Sequence, residues 1–434
     1  MTTLKAVRGT RDLLPPETEL WNRIESTARA VFRRYNFGEI RTPIFEDTQL
    51  FARGVGEETD IVSKEMFTWE DRARAQSEKA QSLTLRPENT AGVVRAFIEH
   101  GLGESGMLQK LYYIGPQFRR DRPQRGRYRQ FTQIGAEVIG PPSSGSESPL
   151  RDAEVLEMLA TYLDKLGITG WTLLINSVGT ASDRPRYIAV LKEALRAVAP
   201  QMCGDCQRRA ETNPLRVLDC KVPEDQPIIE ALPRIADYLD DDSNAHFAAV
   251  REALDACGIA YEVSHRLVRG FDYYTRTTFE FQVRSEEGGL GTQNALLGGG
   301  RYDGLSEIIG GPKAPGIGFA IGADRLVLVL EAQAGQISAS LADAYIAPIG
   351  EALNSAALVL ARELRREGLR IEVGDGSFRI KKSFETGDKL ARNIVLLGEH
   401  ELQSGMLTVK NFASGEQTKV AREQLAAALA PPHE

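Results

Sequence analysis

Two strand-like runs, Lys110 to Phe118 and Gly126 to Ile139, flank a turn crowded with arginine, and this pairing limits the fold more than any other feature. Strands this long read as a large antiparallel hairpin, which needs a broader sheet to be stable in water. The turn itself, Arg119-Arg-Asp-Arg-Pro-Gln-Arg-Gly-Arg-Tyr-Arg129, holds six arginines against one aspartate, a local charge of +5. The chain as a whole is acidic, with 53 Lys and Arg against 60 Asp and Glu, net −7. A polyanion partner must therefore be met locally. Guanidinium groups stay charged in any environment and present planar pairs of donors, which suits a triphosphate or a nucleic-acid backbone. A solvated hairpin tip is the plain alternative.

Side chains alternate along a strand, so Arg127, Arg129, Phe131, Gln133 and Glu137 share one face of the second run, and Ile134 and Val138 take the other. A core strand reads apolar on its buried side. This face instead offers phosphate donors, an aromatic platform, then an amide and a carboxylate, the ingredients of a binding floor. Val268-Arg-Gly-Phe-Asp-Tyr-Tyr-Thr-Arg-Thr277 has the same character, with Gly270 turning the chain between Arg269 and the adjacent Tyr273 and Tyr274. Glu88 and Thr90 stand where a helix begins and suit a cap as well as a ligand. Gly316 to Gly322 can bring backbone close to a ligand but lacks the Lys-Ser/Thr of a phosphate-binding loop. Asp324 and Arg325 follow it.

With 434 residues the chain has room for about three domains. Leu20, Ile24, Ala28, Val31 and Tyr35 recur at helical spacing after Thr10 to Glu17. Gly38 to Phe51 reads as extended and Glu70 to Gln81 as a polar connector. Strand-like Ser82 to Arg86 precedes a helix from Asn89 to His100. The loop Gly140 to Pro149 leads into a helix carrying Val155, Leu156, Leu159 and Leu163. After strand-like Trp171 to Val178, residues 184–258 read as a helical insertion. Strands return at Tyr261 to Val268 and Thr277 to Val283, followed by the glycine-rich Gly298 to Gly304. Beyond small, polar Gln336 to Ser340, strand and helix alternate as in a small α/β domain with a mostly parallel sheet.

Cys203, Cys206, Cys220 and Cys257 fall in one quarter of the chain, which suits a reducing compartment. Cys203-x-x-Cys206 with Cys220 gives at most three nearby thiolates, and no metal site is assigned. No run approaches a membrane span and the N-terminus does not read as a signal peptide, so a cytoplasmic location is expected.

In order along nearly the whole chain, these motifs resemble the class II aminoacyl-tRNA synthetases, and among them the histidyl-tRNA synthetase family. Arg41-Thr-Pro-Ile-Phe-Glu46 resembles motif 1, a dimer-interface element. Phe118-Arg-Arg-Asp through Arg127-Tyr-Arg-Gln-Phe to Glu137 resembles motif 2, and Gly318 to Arg325 resembles motif 3. The two histidine-family signatures are matched by Leu267-Val-Arg-Gly-Phe-Asp-Tyr-Tyr-Thr-Arg-Thr and Gly299-Gly-Arg-Tyr-Asp-Gly. Asn89, Phe271 and Thr132 stand where the family more often has Gly, Leu and His.

The resemblance implies an α+β fold: a class II core on an antiparallel sheet over residues 1–335, the insertion at 184–258, and a C-terminal α/β anticodon-binding domain at 336–434. It implies histidine activation by ATP with Mg²⁺, then transfer to tRNA(His), in a homodimer. It makes Arg119 and Arg269 catalytic, and gives ATP Arg119, Asp121, Arg127, Phe131 and Arg325. Histidine falls to Glu88, Thr90, Gln133, Glu137, Tyr273 and Tyr274. The turn Gln124 to Arg127 would face the acceptor end of tRNA, and Arg379, Lys381, Lys382 and Lys389 the anticodon. The rival within the same resemblance is the non-catalytic paralogue that regulates ATP phosphoribosyltransferase. That paralogue typically lacks the catalytic arginine and the C-terminal domain.

Overall fold

Helix α1 (Glu17–Arg34) buries Leu20, Trp21, Ile24, Ala28, Val31 and Phe32, with acidic residues in its first turn and arginines in its last, as the helix dipole favours. The computed structural model describes residues 3–56, 59–71, 80–269, 273–283, 294–334 and 341–430. Short strands β1 (Gly38–Glu39) and β2 (Phe45–Asp47) follow, then helix α2 (Thr48–Val55), β3 (Phe67–Asp71), β4 (Gln81–Leu85) and helix α3 (Thr90–Glu99). Only part of Gly38 to Phe51 is extended, therefore. The Asp47 side chain accepts from Gln49 N and starts α2, whose Leu50, Phe51 and Val55 are buried. Residues 72–79 of the expected connector lie outside the described residues. Its two ends are strand, because β4 pairs with both β2 and β3.

Strands β5 (Gln109–Phe118) and β6 (Gln130–Ile139) form the hairpin, antiparallel from Gln109↔Ile139 to Phe118↔Gln130. Helix α4 (Pro149–Leu166) starts at Ser148, whose side chain accepts from Leu150 N, and ends at Gly167 with φ 78°. Then come β7 (Trp171–Ser177), helices α5 (Asp183–Val198), α6 (Gly204–Thr212), α7 (Gln226–Glu230) and α8 (Asp241–Ala256), and strands β8 (Glu262–Val263), β9 (Thr275–Val283), β10 (Ala295–Arg301) and β11 (Gly316–Gly322). The main sheet has the order β1-β5-β6-β11-β10-β9-β7-β8. Its six inner strands are antiparallel, and the edge pairs β1/β5 and β7/β8 are parallel.

One face of this sheet is the core. Ile134, Ala136, Val138, Phe279, Phe281, Ile317 and Phe319 pack there against Ile24 and Phe32 of α1 and Leu156, Leu159 and Leu163 of α4. Each of the larger of these side chains contributes roughly 1.5–3 kcal/mol by leaving water. The opposite face carries polar groups.

The segment 184–258 divides by its packing. Leu191, Cys206, Val217, Cys220 and Ile229 form a second cluster, whereas Val250 and Leu254 of α8 join the core of the sheet. Helix α8 is the crossover that the parallel pair β7/β8 requires. The expected strand Tyr261 to Val268 shrinks to the two residues of β8, since it pairs only with the end of β7. The first three residues of the glycine-rich segment, Gly298 to Gly300, lie inside β10.

The chain separates into two compact units, Met1–Ile337 and Ser338–Glu434. The sequence boundary near 335 and the stretch 336–340 fall outside the described residues. The second unit has one sheet, β13-β12-β14-β15-β16, made of β12 (Ala342–Pro348), β13 (Ile371–Val373), β14 (Ala391–Leu397), β15 (Met406–Asn411) and β16 (Gln417–Ala421). It is mixed where a mostly parallel sheet was expected: β12 pairs parallel with β13 and β14, but β15 and β16 return as an antiparallel hairpin. Among the described residues, no helix is long and apolar enough to cross a membrane.

Candidate active site

The polar face of the main sheet floors a cavity of about 1080 Å³. Glu88, Thr90, Arg119, Asp121, Arg127, Phe131, Gln133, Arg269, Tyr273, Tyr274 and Arg325 all line it, and Glu137 lies just beneath. Residues far apart in sequence meet here because β6, β10 and β11 are neighbours and the loop after β8 brings Arg269 back over them.

Three glycines make the floor flat enough for long side chains to lie across it. A Cβ at Gly298 would collide with the Arg269 guanidinium, and one at Gly318 with the Glu137 carboxylate. A Cβ at Gly300 would press on the Tyr274 ring at 2.8 Å. Glu137 is fully buried and accepts from Thr90 Oγ1 at 2.8 Å and from the Tyr302 hydroxyl at 2.6 Å. Burial pushes its carboxyl up to about 8, against the pull of the Tyr302 and Thr90 hydrogen bonds. Glu88 is also raised by burial. It accepts from Thr90 N at 2.7 Å and Ala91 N at 3.0 Å, closing the open end of α3. Gln133 accepts from Tyr113. Tyr273 and Tyr274 are buried with ring centres 4.7 Å apart, and Tyr302 meets Tyr273 edge-on at 6.0 Å. Burial raises all three phenols, which therefore serve as neutral donors.

The cations sit around this patch. Arg119 donates through Nε to Pro87 O at 2.8 Å and lies 5.3 Å from the Phe131 ring centre. Burial pulls its pKa down, partly offset by Glu65 and Glu88, so its fixed positive charge is poorly solvated until an anion arrives. Arg325 is lowered by burial too, with Arg127 adding to the effect. Arg269 donates to Glu280 at 2.8 Å. Burial works against its charge, but Tyr274 and Glu280 outweigh it and the net shift is upward. Arg127 pairs with Asp121 at 3.1 Å.

Arg129 departs from the expected face. Strand β6 begins at Gln130, so alternation does not reach it, and its stem packs against Gly9 instead. Residues 270–272, including the expected Gly270 turn and Phe271, lie outside the described residues. Asn89 accepts from Thr42 Oγ1 at 2.6 Å beside the start of α3.

Tyr302, Tyr113, Glu65 and Glu280 were missed by sequence reasoning as site residues. Tyr302 stood inside a recognised signature, so its signal was present; Tyr113 pairs with Gly135 and so shares the face of Gln133 and Glu137, which register alone would have revealed. The other wall of the cavity comes from the helical segment, through Cys203, Arg209, Asp219, Cys220 and Lys221. The cysteine count gave three neighbours. The structure adds Asp225 as a fourth: one donor atom each from Cys203, Cys206, Cys220 and Asp225 falls within a common span of 4.8 Å.

Known proteins resemble the chain over nearly its whole length. The family model for histidyl-tRNA synthetase matches residues 9–326, and that for the anticodon binding domain matches residues 343–430. A histidine–tRNA ligase of Koribacter versatilis is 69% identical over 424 residues, covering 98% of this chain and 95% of the relative. One from Solibacter usitatus is 57% identical over 428 residues, covering 98% and 99%. The crystal structure of apo histidyl-tRNA synthetase from S. aureus superposes with a TM-score of 0.78 at 36% identity, covering 98% of this chain and 100% of that one. With a family model over most of its length and relatives this close, the chain belongs to the histidyl-tRNA synthetase family.

Proposed function

We propose that the cavity activates L-histidine with ATP and passes it to the 3′ end of tRNA(His). The observation that carries the reading is the convergence of Arg119, from the end of β5, and Arg269, from the loop after β8, on a pocket whose buried end holds Glu137 among three tyrosines. The histidine carboxylate attacks the α-phosphate of ATP, pyrophosphate leaves, and histidyl-adenylate forms. Two anions must approach, so the rate depends on positioning and on cations aimed at the developing charge. Arg119 and Arg269 supply these at the α-phosphate, and Arg325 and Arg127 at the outer phosphates, with Asp121 orienting Arg127. Phe131 stacks on adenine. Glu88, Thr90 and Gln133 take the α-amino group, while Glu137, Tyr273 and Tyr274 take the imidazole. A pocket built of buried hydrogen-bonding groups leaves them unpaired with an apolar substrate, a penalty that discriminates by ~10⁴.

Family membership implies Mg²⁺. Around the cavity no three carboxylates gather among the described residues, while Glu280 and Asp121 are each engaged by an arginine. That donor set fits an ion that would arrive with ATP: Glu280 or Asp121 would help hold it, and it would supply neutralisation of phosphate charge. In the second step the terminal ribose hydroxyl of tRNA attacks the adenylate carbonyl and AMP leaves. The exposed arginines of the β5–β6 turn meet the acceptor end. Arg379, Lys381, Lys382 and Lys389, all exposed on or beside helix Ile380–Leu390, meet the anticodon. A homodimer through the motif 1 region and a cytoplasmic location belong to the same reading.

The presence of Arg269 and of the C-terminal unit favours the ligase over a regulatory paralogue. The test is ATP–pyrophosphate exchange, expected only with L-histidine. Arg269→His should lower exchange by ~10²–10³-fold while histidine binding, read by calorimetry, survives. Exchange with no amino acid by the folded protein would sink the reading.

A further inference from the structure

The helical wall of the cavity carries a side-chain cluster that the ligase chemistry does not use. Cys203 and Cys206 lie at the N-terminal end of α6, and Cys220 and Asp225 come from the chain leading to α7. Cys206, Cys220 and Asp225 are buried and Cys203 is half-buried. Cys203 Sγ and Cys220 Sγ are 3.9 Å apart, and Cys220 Sγ is 3.2 Å from Asp225 Oδ2. Two sulfurs bound at ~2.3 Å to one tetrahedral ion stand about 3.8 Å apart. The observed separation matches that edge and is far too long for a disulfide.

We infer that Cys203, Cys206, Cys220 and Asp225 form a structural Zn²⁺ site. Three soft thiolates and one carboxylate in a closed set of four select zinc over the hard cations that serve phosphates. Asp225 provides a second, independent observation. It is only 1% exposed, and among the described residues no lysine or arginine pairs with it; its partners are Cys203 N, at 3.1 and 3.3 Å, and the thiols of the same cluster. A carboxylate that deep calls for a cation.

The surroundings are those of a supported ligand set. Val222 N donates to Cys220 Sγ at 3.4 Å, and Gln226 Nε2 donates to Cys220 O and Val222 O, both at 2.9 Å. Arg266 in turn donates to Gln226 Oε1 at 2.7 Å. Groups of this kind fix the direction of the ligands and delocalise their charge. The ion would staple residues 203–225 into one shape, and with them Arg209, Asp219 and Lys221, which line the substrate cavity.

The full-length protein, purified under reducing conditions, should contain about one zinc per chain by mass spectrometry of the metal. Exchange for Co²⁺ should give the visible bands of a tetrahedral ion and a near-ultraviolet thiolate-to-cobalt band. Removal by a strong chelator should lower Tm by about 5–10 °C, restored by Zn²⁺. Cys206→Ser and Asp225→Asn should each lose most of the zinc, while Cys257→Ser, at an exposed cysteine outside the cluster, should keep it. If Cys206→Ser fails to fold, the cobalt spectrum and Asp225→Asn decide. Protein that holds no zinc and takes up neither Zn²⁺ nor Co²⁺ when reduced overturns the site. So does undiminished zinc in both ligand variants, or thiols that Zn²⁺ fails to protect from alkylation. None of these readouts depends on ligase activity.

Discussion

Glu137, on the cavity face of the sheet, and Asp152, in helix α4 packed against the other face, are equally lost to solvent, and they are met by different chemistry. Asp152 lies on the core face, where Arg301 donates to both its oxygens at 3.0 and 3.2 Å and reaches Asp303 and Ser146 O as well. His246 of α8 sits 3.6 Å away and is held neutral, drawn down to about 3 by burial and by Arg301. Glu137 lies on the cavity face with only hydroxyl donors. The neighbours Arg301, the last residue of β10, and Tyr302, just beyond it, serve one carboxyl each. Burial raises both carboxyls; Arg301 restrains Asp152, which reaches about 6, and no cation does as much for Glu137, which reaches about 8. A buried carboxyl given a permanent cation is a joint. One left with neutral donors is free to answer a ligand.

The largest expected effect breaks the joint. Arg301→Met leaves Asp152 buried without its cation and should destabilise the first unit by ~3–5 kcal/mol, seen as a fall in the urea midpoint. Adding Asp152→Leu should recover much of the loss. A single variant as stable as the parent would show that Asp152 holds nothing together.

At Glu137 the expectation reverses. Glu137→Gln keeps the shape and should leave stability near pH 5, where the parent carboxyl is also neutral, within about 1 kcal/mol, while kcat/KM for histidine in exchange falls ~10²-fold. The pH dependence of stability separates the two carboxyls further. Since the folded Glu137 carboxyl titrates near 8 and the unfolded one near 4.5, its stabilising protonated form is fully present below the unfolded value. Stability falls by about 1.4 kcal/mol per pH unit as pH rises through that window and levels off above the folded value. Subtracting the Glu137→Gln profile from the parent should leave this slope between pH 5 and 8. A flat difference would mean that Glu137 is ionised in the free protein.

How much of this was legible in sequence depended on whether a residue's own chemistry fixed its place. The β5–β6 hairpin and helices α1 and α4 were readable because their apolar periods are long and their ends are marked by charge, Ser148 or Gly167. Strand β10 was not, since three glycines carry no strand preference; β9 and β11 supply its hydrogen bonds, and Arg269 and Tyr274 occupy the space a side chain would take. Strand β8 is set by the single edge it meets, and α2 by the Asp47 cap. At the site, Gln133, Glu137 and Phe131 followed from parity, but Arg129 lay beyond the strand where parity holds. Asp225 was invisible in sequence because a carboxylate five residues after Cys220 looks like any surface acid until the fold buries it.

The smallest predicted effect asks whether Tyr302 serves the site or only the strand end. Tyr302→Phe removes one 2.6 Å donor to Glu137 and leaves the ring that meets Tyr273 in place. Losing a hydroxyl donor to a carboxyl should cost ~1 kcal/mol, about fivefold in KM for histidine, with kcat for exchange nearly unchanged. It should also move the Glu137 titration upward, because the Tyr302 hydrogen bond is the largest of the influences that hold it down. The fall of stability with pH would then extend to higher pH than in the parent. A purely structural tyrosine would change stability at every pH alike and leave the histidine KM where it was, so the two roles separate on one variant.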